Sequence, residues 1–430
     1  MKRSMKDRSL KIKRRIAGVA CVAFAVCLLG LGCSPTKPVG RDAKGVLHLE
    51  FWNGFSGPDG PTMEKLVDSF NQTHPDIQVH MQIIPWGTFY DKVTLGLAFG
   101  GAPDVFVLHA SRVPEYASHG VLASLEGFPG LKEMEQDVVP NVRRAGIWQG
   151  VRYSFPLDCH PLGLYYNTDL FSKAGIDHPP TNEKEFEEDA HRLTKTSPGK
   201  SSPDQWGFVI TDIHLVGTTL FDQFGGGVLT PDLNHTAMDT PASKQAVDTM
   251  IRWVQDGHIC PKPDPGGSWM QFQTGKAAMA IQGIWMIDSV RTQKGLHYAA
   301  APVPIFGPNK AVFGNSHTLN MPATLTPERK VAAWTFIRYL SDHSIKWAEA
   351  GQVPIRQSIL NSAGFQKLPV QTQFAKQLSY VDYEPFSPII NQIDGYGDTA
   401  IESAVDGVAS TDDALKQAAR RINRVLDLQK

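Results

Sequence analysis

The strongest constraint on the fold is a strand–helix–strand pattern that begins at residue 47. Residues 47–51 and 77–83 alternate apolar and polar side chains, and this period of two predicts strands. Pro61 starts the segment between them, where apolar residues recur at helical spacing: Met63, Leu66, Val67 and Phe70. Such a β-α-β unit predicts parallel strands with a right-handed crossover, and the apolar run 105–108 predicts a strand buried on both faces. We therefore expect an α/β protein.

Length and charge narrow the class of protein. A chain of 430 residues is too long for one ordinary core and suits two lobes of roughly 150–200 residues. Residues 1–32 hold eight Lys and Arg and one Asp, which leaves 34 basic and 42 acidic residues in the rest of the chain. A body with this acidic excess offers no basic stripe for phosphate backbones, so nucleic acid is not expected as a partner.

The first 33 residues have the layout of a secretory signal peptide. A basic stretch precedes an apolar run, residues 16–31, that is short for a membrane span and ends at Gly32-Cys33. This ending resembles a bacterial lipobox, which implies lipidation of Cys33, although Gly30 stands where Leu is usual. Residues 34–45 then suit a flexible tether. The alternative is an uncleaved N-terminal anchor, and both interpretations place the body outside the cytoplasm, at the cell surface or in the periplasm.

Two cysteines remain in the body of the chain, Cys159 and Cys260. A disulfide between them is possible in an oxidising compartment, but the sequence does not determine whether they are close in space.

Several segments, in this order, resemble the extracellular solute-binding proteins of carbohydrate ABC importers, the family that includes maltose-binding protein. They are residues 51–54 with 57–60, 102–105, 156–158 with 164–167, 272 with 275–279, 283–285 and 351–356. The resemblance implies a two-lobed periplasmic-binding-protein-like fold with a hinge of about three crossings and a ligand cleft between the lobes. By this analogy the first lobe comprises residues 46–157 plus 314–352, and the second comprises 158–313 plus 353–430.

Candidate ligand-binding residues of the first lobe follow predicted strands, where ligands of open α/β sheets usually bind. They are Trp52, Asn53, Asp59, Trp86 and His109. A sugar site needs aromatic rings that stack on C–H faces and polar groups that bind hydroxyls, and these residues offer both.

Further candidates lie in the second lobe or at the predicted crossings. They are Asp158, Trp285, Asn315, His317 and Arg356. Trp285 takes its role from the resemblance, in which the Trp of a Gly-x-Trp segment often stacks on sugar. Arg356 could form a bidentate contact with hydroxyls or a carboxylate. Trp269 is a weaker candidate, and Phe224 beside three glycines is interpreted as packing.

Each candidate also has a structural alternative. The tryptophans could be packing residues and His109 a structural histidine. Asp158 could hold backbone amides at the hinge, and Arg356 could form a salt bridge between the lobes.

A secreted glycoside hydrolase is the rival class, with Asp59 and Asp158 as the carboxyl pair that such chemistry requires. Nothing local marks either residue as a general acid, and the chain contains no nucleophile elbow, zinc-protease motif or phosphate loop. We therefore predict no catalytic residues and no cofactor. The fourteen histidines are scattered without ligand spacing, so no metal site is predicted either.

The predicted ligand is a mono- or oligosaccharide, which favours the closed state by contacting both lobes. Glycerol-phosphate esters are the alternative solute, since a related branch of the family binds them. The resemblance further implies the membrane permease subunits of an ABC importer as partners, and we expect the protein to be a monomer.

Overall fold

The computed structural model describes residues 40–429. The predicted signal peptide, Cys33 and the first part of the tether lie outside the described residues. Within residues 40–429, no helix is both long and apolar enough to cross a bilayer. The chain divides after His48 into two units, and the described part of the first contains a turn at residues 43–45, before the first strand begins. In this turn the Asp42 carboxylate accepts hydrogen bonds from the backbone N–H groups of Lys44 and Val46.

Fourteen strands are present in the described part of the chain. They are β1 (Leu47–Asn53), β2 (Ile77–Ile83), β3 (Val105–His109), β4 (Ile147–Trp148), β5 (Val151–Arg152), β6 (Ser154–Pro156), β7 (Asp158–Asn167), β8 (Trp206–Ile210), β9 (Ala277–Gly283), β10 (Tyr298–Ala301), β11 (Val312–Asn315), β12 (His317–Asn320), β13 (Val353–Pro354) and β14 (Val381–Asp382).

The α-helices are distributed along the same residues. They are α1 (Gly60–Thr73), α2 (Trp86–Phe99), α3 (Val113–Ser118), α4 (Leu131–Asp137), α5 (Thr168–Ala174), α6 (Glu183–Leu193), α7 (Ile213–Phe224), α8 (Pro241–Ile251), α9 (Pro265–Gln273), α10 (Ile287–Arg291), α11 (Pro327–Asp342), α12 (Ser344–Glu349), α13 (Gln357–Leu360), α14 (Pro369–Ala375), α15 (Ile390–Val405) and α16 (Thr411–Asp427). Short 3₁₀ turns include Ala110–Arg112 and Ile284–Met286.

A five-stranded sheet has the order β2-β1-β3-β12-β6. The predicted strand–helix–strand unit is confirmed as β1, α1 and β2, and α1 buries the predicted apolar face. Strands β1 and β3 are parallel, with Phe51 opposite Val105. Residues 105–108 are fully buried, as their continuous apolar sequence predicts, and antiparallel β12 covers the other edge of β3.

A seven-stranded sheet is built around the long strand β7. Its main path is β14-β11-β7-β9-β8, and β10 and β13 also pair with β7. The chain passes from the first sheet to the second at Leu157, between β6 and β7, and back at Ser316, between β11 and β12. The two passages lie side by side, because the Leu157 N–H donates to the His317 carbonyl at 2.8 Å.

A buried ion pair joins helix α11 to the first sheet. The Arg329 guanidinium on α11 donates two hydrogen bonds to the Asp104 carboxylate, at 2.7 and 2.8 Å. The same carboxylate accepts from the Glu50 N–H, so Asp104 joins a helix to the strand β1. In the Ala-Pro-Asp segment that precedes β3, the aspartate therefore has a structural role.

Local contacts define the start of the acidic helix α6. It begins after Asn182, whose side chain accepts from the Glu185 N–H, and the Thr181 hydroxyl donates to the Glu185 carboxylate. The possible disulfide does not form, since both Cys159 and Cys260 are buried free thiols in the described part of the chain.

Candidate functional site

A cavity of about 550 Å³ lies beside the passages between the two sheets. The first sheet contributes residues that follow β1, β2 and β3, as expected for the carboxyl ends of strands. The lining residues are Gly54, Ser56, Gly57, Pro58, Asp59, Trp86, Tyr90, His109, Ser111, Arg112, His160, Leu215, Trp285, Met286, Phe313, Asn315, His317, Gln352, Glu384, Asn391 and Asp394.

Two half-buried tryptophans line the cavity, and each lies against a glycine. A Cβ atom at Gly54 would lie 2.2 Å from the ring of Trp86, and one at Gly283 would lie 2.1 Å from the ring of Trp285. Both glycines therefore allow an indole ring to lie directly on the backbone. Trp86 also stacks on His317, with ring centroids 5.8 Å apart and an interplanar angle of 13°.

Three imidazoles meet at the cavity. His109 ends β3, His317 begins β12 directly opposite it, and His160 lies on β7 of the other sheet. One ring nitrogen from each lies within 4.8 Å of the others. The argument that the histidines are scattered is therefore wrong for these three, because strand pairing and the passage between the sheets bring together residues that are far apart in the sequence.

Asp158 organises two of these imidazoles from behind the cavity. Its fully buried carboxylate accepts from Nδ1 of His317 at 2.8 Å, Nδ1 of His160 at 3.1 Å and Nε1 of Trp347 at 2.6 Å. It also accepts from the His317 backbone N–H at 3.0 Å. Burial by itself would raise the pKa of Asp158, but His317 and His160 hold that pKa well below its usual value.

Burial has the opposite effect on the imidazoles. Together with the neighbouring His317 and His160, it holds the pKa of His109 well below the usual value. Burial likewise lowers the pKa of His160 to about 4, with His317 acting in the same direction. Both rings are therefore neutral near pH 7. Asp59 lies at the start of α1, where burial raises the pKa of its carboxyl group and His317 opposes the shift.

The far wall of the cavity carries charge. Glu384 and Asp394 line it, and His214, just outside the lining, forms ion pairs with Glu384 and Asp398. Burial opposes protonation of His214, but these two carboxylates raise its pKa to about 11. Burial and the nearby Glu384 raise the pKa of Asp394 to about 8. His214 and the nearby Arg112 thus supply positive charge beside these acidic side chains.

The structure places six of the ten sequence-predicted residues on the cavity: Asp59, Trp86, His109, Trp285, Asn315 and His317. The other four do not line it. Trp52 packs against the core beside α2 with the Lys92 ammonium over its ring, and Asn53 is buried and accepts from the Phe55 N–H. Asp158 lies behind His160 and His317, as described above.

Arg356 is the fourth residue away from the cavity. Its guanidinium donates to Asp137 at 2.6 Å and to Asp342 at 3.1 Å. This is the salt-bridge arrangement that the sequence left open as an alternative to ligand binding. The weaker candidate Trp269 is buried against Phe272 and donates to Ser289, so it belongs to the core.

Sequence reasoning missed most of the lining from the seven-stranded side, including His160, Phe313 and Glu384. A signal existed for His160, since it lies two residues after Asp158 and therefore on the same face of a strand. Glu384 and Asp394 follow no motif and no predicted strand end, so nothing in the sequence marked them.

The two sheets, their short passages and the adjacent cavity define the class of two-lobed solute-binding proteins. The chain belongs to the family of bacterial extracellular solute-binding proteins, whose model matches residues 54–346. This is a family of binding proteins, and its name places its members outside the cytoplasm. The fold class expected from the resemblance is thereby confirmed.

Known proteins resemble the chain over most of its length. A putative binding protein of Brucella abortus (strain 2308) is 22% identical over 388 residues, covering 86% of this chain and 91% of the relative. The maltodextrin-binding protein MdxE of Bacillus subtilis (strain 168) is 25% identical over 433 residues, covering 94% and 96%. The GacH receptor of Streptomyces glaucescens GLA.O, solved unliganded and with acarbose, has a TM-score of 0.78 at 22% identity, covering 89% and 99%. At this identity, the structural likeness shows the fold.

Proposed function

We propose that this protein captures a mono- or oligosaccharide outside the cytoplasm and delivers it to the permease of an ABC importer. The observation that carries the proposal is the pair of half-buried tryptophans, Trp86 and Trp285, on a cavity otherwise rich in hydrogen-bonding groups. Flat rings favour the C–H faces of sugars, and polar side chains favour their hydroxyls. A relative named for maltodextrin binding and a structure solved with acarbose support the same ligand class.

Within this proposal the residues have two kinds of role. Trp86 and Trp285 stack on the sugar, while other lining residues bind hydroxyls: Asp59, His109, Asn315 and His317. Trp52, Asn53, Asp158 and Arg356 act indirectly, by holding the backbone and side chains that the sugar contacts.

Ligand delivery requires motion between lobes. We propose that the first lobe comprises residues 46–157 plus 314–352 and the second 158–313 plus 353–430, with the passages at Leu157 and Ser316 in the hinge. A sugar that contacts both lobes binds the closed state better and so shifts the population toward it. The permease then recognises the closed form, and lipid on Cys33 keeps the protein at the membrane.

Binding without catalysis is part of the proposal. A glycoside hydrolase would need two carboxyl groups that flank one bond. Asp158 is fully buried and accepts hydrogen bonds from Trp347, His160 and His317, so its carboxylate is committed to structure. This placement disfavours the pair of Asp59 and Asp158 as catalytic groups.

The test is a thermal-shift screen of the purified protein, in chelator, against mono- and oligosaccharides, polyols, sugar acids and glycerol-phosphate esters. A ligand at a hundredfold excess over Kd stabilises the folded state by about 2.7 kcal/mol. We expect a neutral sugar to raise the melting temperature and Trp285→Ala to abolish the shift. Trp206→Ala, a half-buried tryptophan away from the cavity, serves as the matched control.

Salt separates the alternatives in the same screen. A shift that survives high ionic strength indicates stacking on a neutral sugar, whereas one that fades with salt indicates a phosphate ester. A folded protein that responds to no sugar in the panel would contradict the proposal.

A further inference from the structure

The three imidazoles on the cavity carry an inference that goes beyond carbohydrate binding and does not depend on it. We propose that His109, His160 and His317 bind one divalent transition-metal cation, of the Zn²⁺ class, through one nitrogen each. The candidate ligand nitrogens lie within 4.8 Å of one another. Three histidines with an open fourth position are a recurrent zinc donor set, and imidazole favours such cations over Ca²⁺ or Mg²⁺.

Hydrogen bonds orient the rings for this role. The Asp158 carboxylate is an acceptor, so the Nδ1 atoms of His160 and His317 that contact it carry the protons. Nδ1 of His109 is hydrogen-bonded to the Tyr90 hydroxyl. His160 and His317 therefore keep Nε2 for coordination, and His109 does so in the tautomer whose Nδ1–H donates to the Tyr90 oxygen. A carboxylate behind a metal-binding histidine is the usual outer partner, because it fixes the tautomer and raises the basicity of the ligand nitrogen.

Coordination would connect the two sheets. His109 and His317 belong to the five-stranded sheet, and His160 belongs to the seven-stranded sheet. Metal–nitrogen bonds of about 2.0–2.1 Å place tetrahedral ligands roughly 3.3 Å apart, and the candidate nitrogens here all lie within 4.8 Å of one another. A bound cation would therefore hold the two sheets together beside their passages. All three residues line the cavity, which leaves the fourth position for an oxygen or nitrogen of a bound solute.

The experiment uses the purified protein without a histidine tag, stripped with chelator and dialysed. Zn²⁺ binding is titrated by calorimetry, and Co²⁺ binding is followed by its visible absorption, which reports the coordination geometry. We expect one equivalent to bind with tetrahedral Co²⁺ bands. His109→Ala, His160→Ala and His317→Ala should each weaken binding by more than the roughly 10- to 100-fold typical of losing an outer partner.

His119→Ala is the matched control, because His119 is exposed and its Nδ1 atom is hydrogen-bonded locally, to the Glu115 carbonyl and the Ser118 hydroxyl. Each variant is checked by circular dichroism and thermal melting, and one variant that keeps the wild-type fold is enough for the test. Wild-type protein that binds no Zn²⁺ in the micromolar range would overturn the inference, as would unchanged Zn²⁺ binding in any correctly folded variant of the three.

Two readouts separate this inference from the proposed function. A sugar-induced thermal shift in chelator, without Zn²⁺ binding, would overturn the metal site and leave carbohydrate binding intact. Stoichiometric Zn²⁺ binding that depends on the three histidines, with no response to any sugar, would support the metal site and contradict the carbohydrate proposal.

Discussion

The two walls of the cavity differ in chemistry. The wall from the five-stranded sheet presents the rings of Trp86, His109 and His317, which lie against one another; Trp86 stacks on His317, and His109 is tilted against both. The opposite wall combines Trp285 with a charged group in which His214 pairs with Glu384 and Asp398. The first wall suits stacking and hydrogen bonding with neutral groups, whereas the second holds charge at a cost in desolvation. Substitutions can therefore alter the ring stacking of the first wall and the charges of the second wall separately.

The largest expected effect comes from the residue that connects the two walls. Asp158 accepts from His317 on one wall and His160 on the other. Asp158→Ala should lower the free energy of unfolding by about 3–5 kcal/mol, because it leaves several buried donors without their acceptor. Chemical denaturation measures the loss. Asp204→Ala, which removes an exposed carboxylate paired with Lys200, should leave the midpoint unchanged. If Asp158→Ala kept the denaturation midpoint of the wild-type protein, the two walls would not depend on this carboxylate.

An intermediate effect is expected from the two glycines that support the tryptophans. Gly54→Ala should cost about 1–3 kcal/mol, because its Cβ would overlap the middle of the Trp86 ring. Gly283→Ala should cost less, since its Cβ would meet the far end of Trp285, which can swing away. Unfolding by denaturant compares the two directly.

Gly87→Ala is the control for both substitutions. Gly87 is exposed on α2, and a Cβ there would meet no described atom within 4 Å. This change should be neutral or stabilise the protein by up to about 1 kcal/mol, because Ala favours the helix. Equal costs for Gly54→Ala and Gly283→Ala would show that the Trp285 ring is held as firmly as the Trp86 ring.

The smallest effect concerns the charged wall and depends on pH. The pKa of His214 is raised to about 11, above its value of about 6.5 in an unfolded chain. Its stabilising contribution is therefore complete below pH 6.5 and lost as the pH rises toward 11. His214→Gln should cost on the order of 1 kcal/mol near pH 6, allowing for partial exposure, and progressively less at higher pH. Unfolding free energies of both proteins from pH 6 to 10 measure this trend, and a difference that grows with pH would contradict it.

Much of the five-stranded side could be predicted from the sequence. Alternation located β1 and β2, and the rule that ligands bind at the carboxyl ends of strands placed Trp86 and His109 on the cavity. The same rule failed for Trp52 and Asn53. They lie within the last two positions of β1, where the pleat and the core packing of the strand decide which way a side chain faces.

The seven-stranded side was harder to predict because its contributions are not consecutive. His160 lies on the long strand β7 and Phe313 on β11, whereas Glu384 follows β14 and Asp394 lies on α15. Strand β7 pairs with four other strands along its length, and that pairing brings distant segments to one place. Local patterns carry no information on such long-range pairing.

The sequence by itself determined the α/β class, the family and the aromatic character of the site, because period, turn residues and family segments are local properties of the chain. The tertiary structure decided that His109, His160 and His317 meet and that Asp158 stands behind them rather than on the cavity. The passage between the sheets sets these distances, and strand register and burial set the hydrogen bonds and the protonation of the groups.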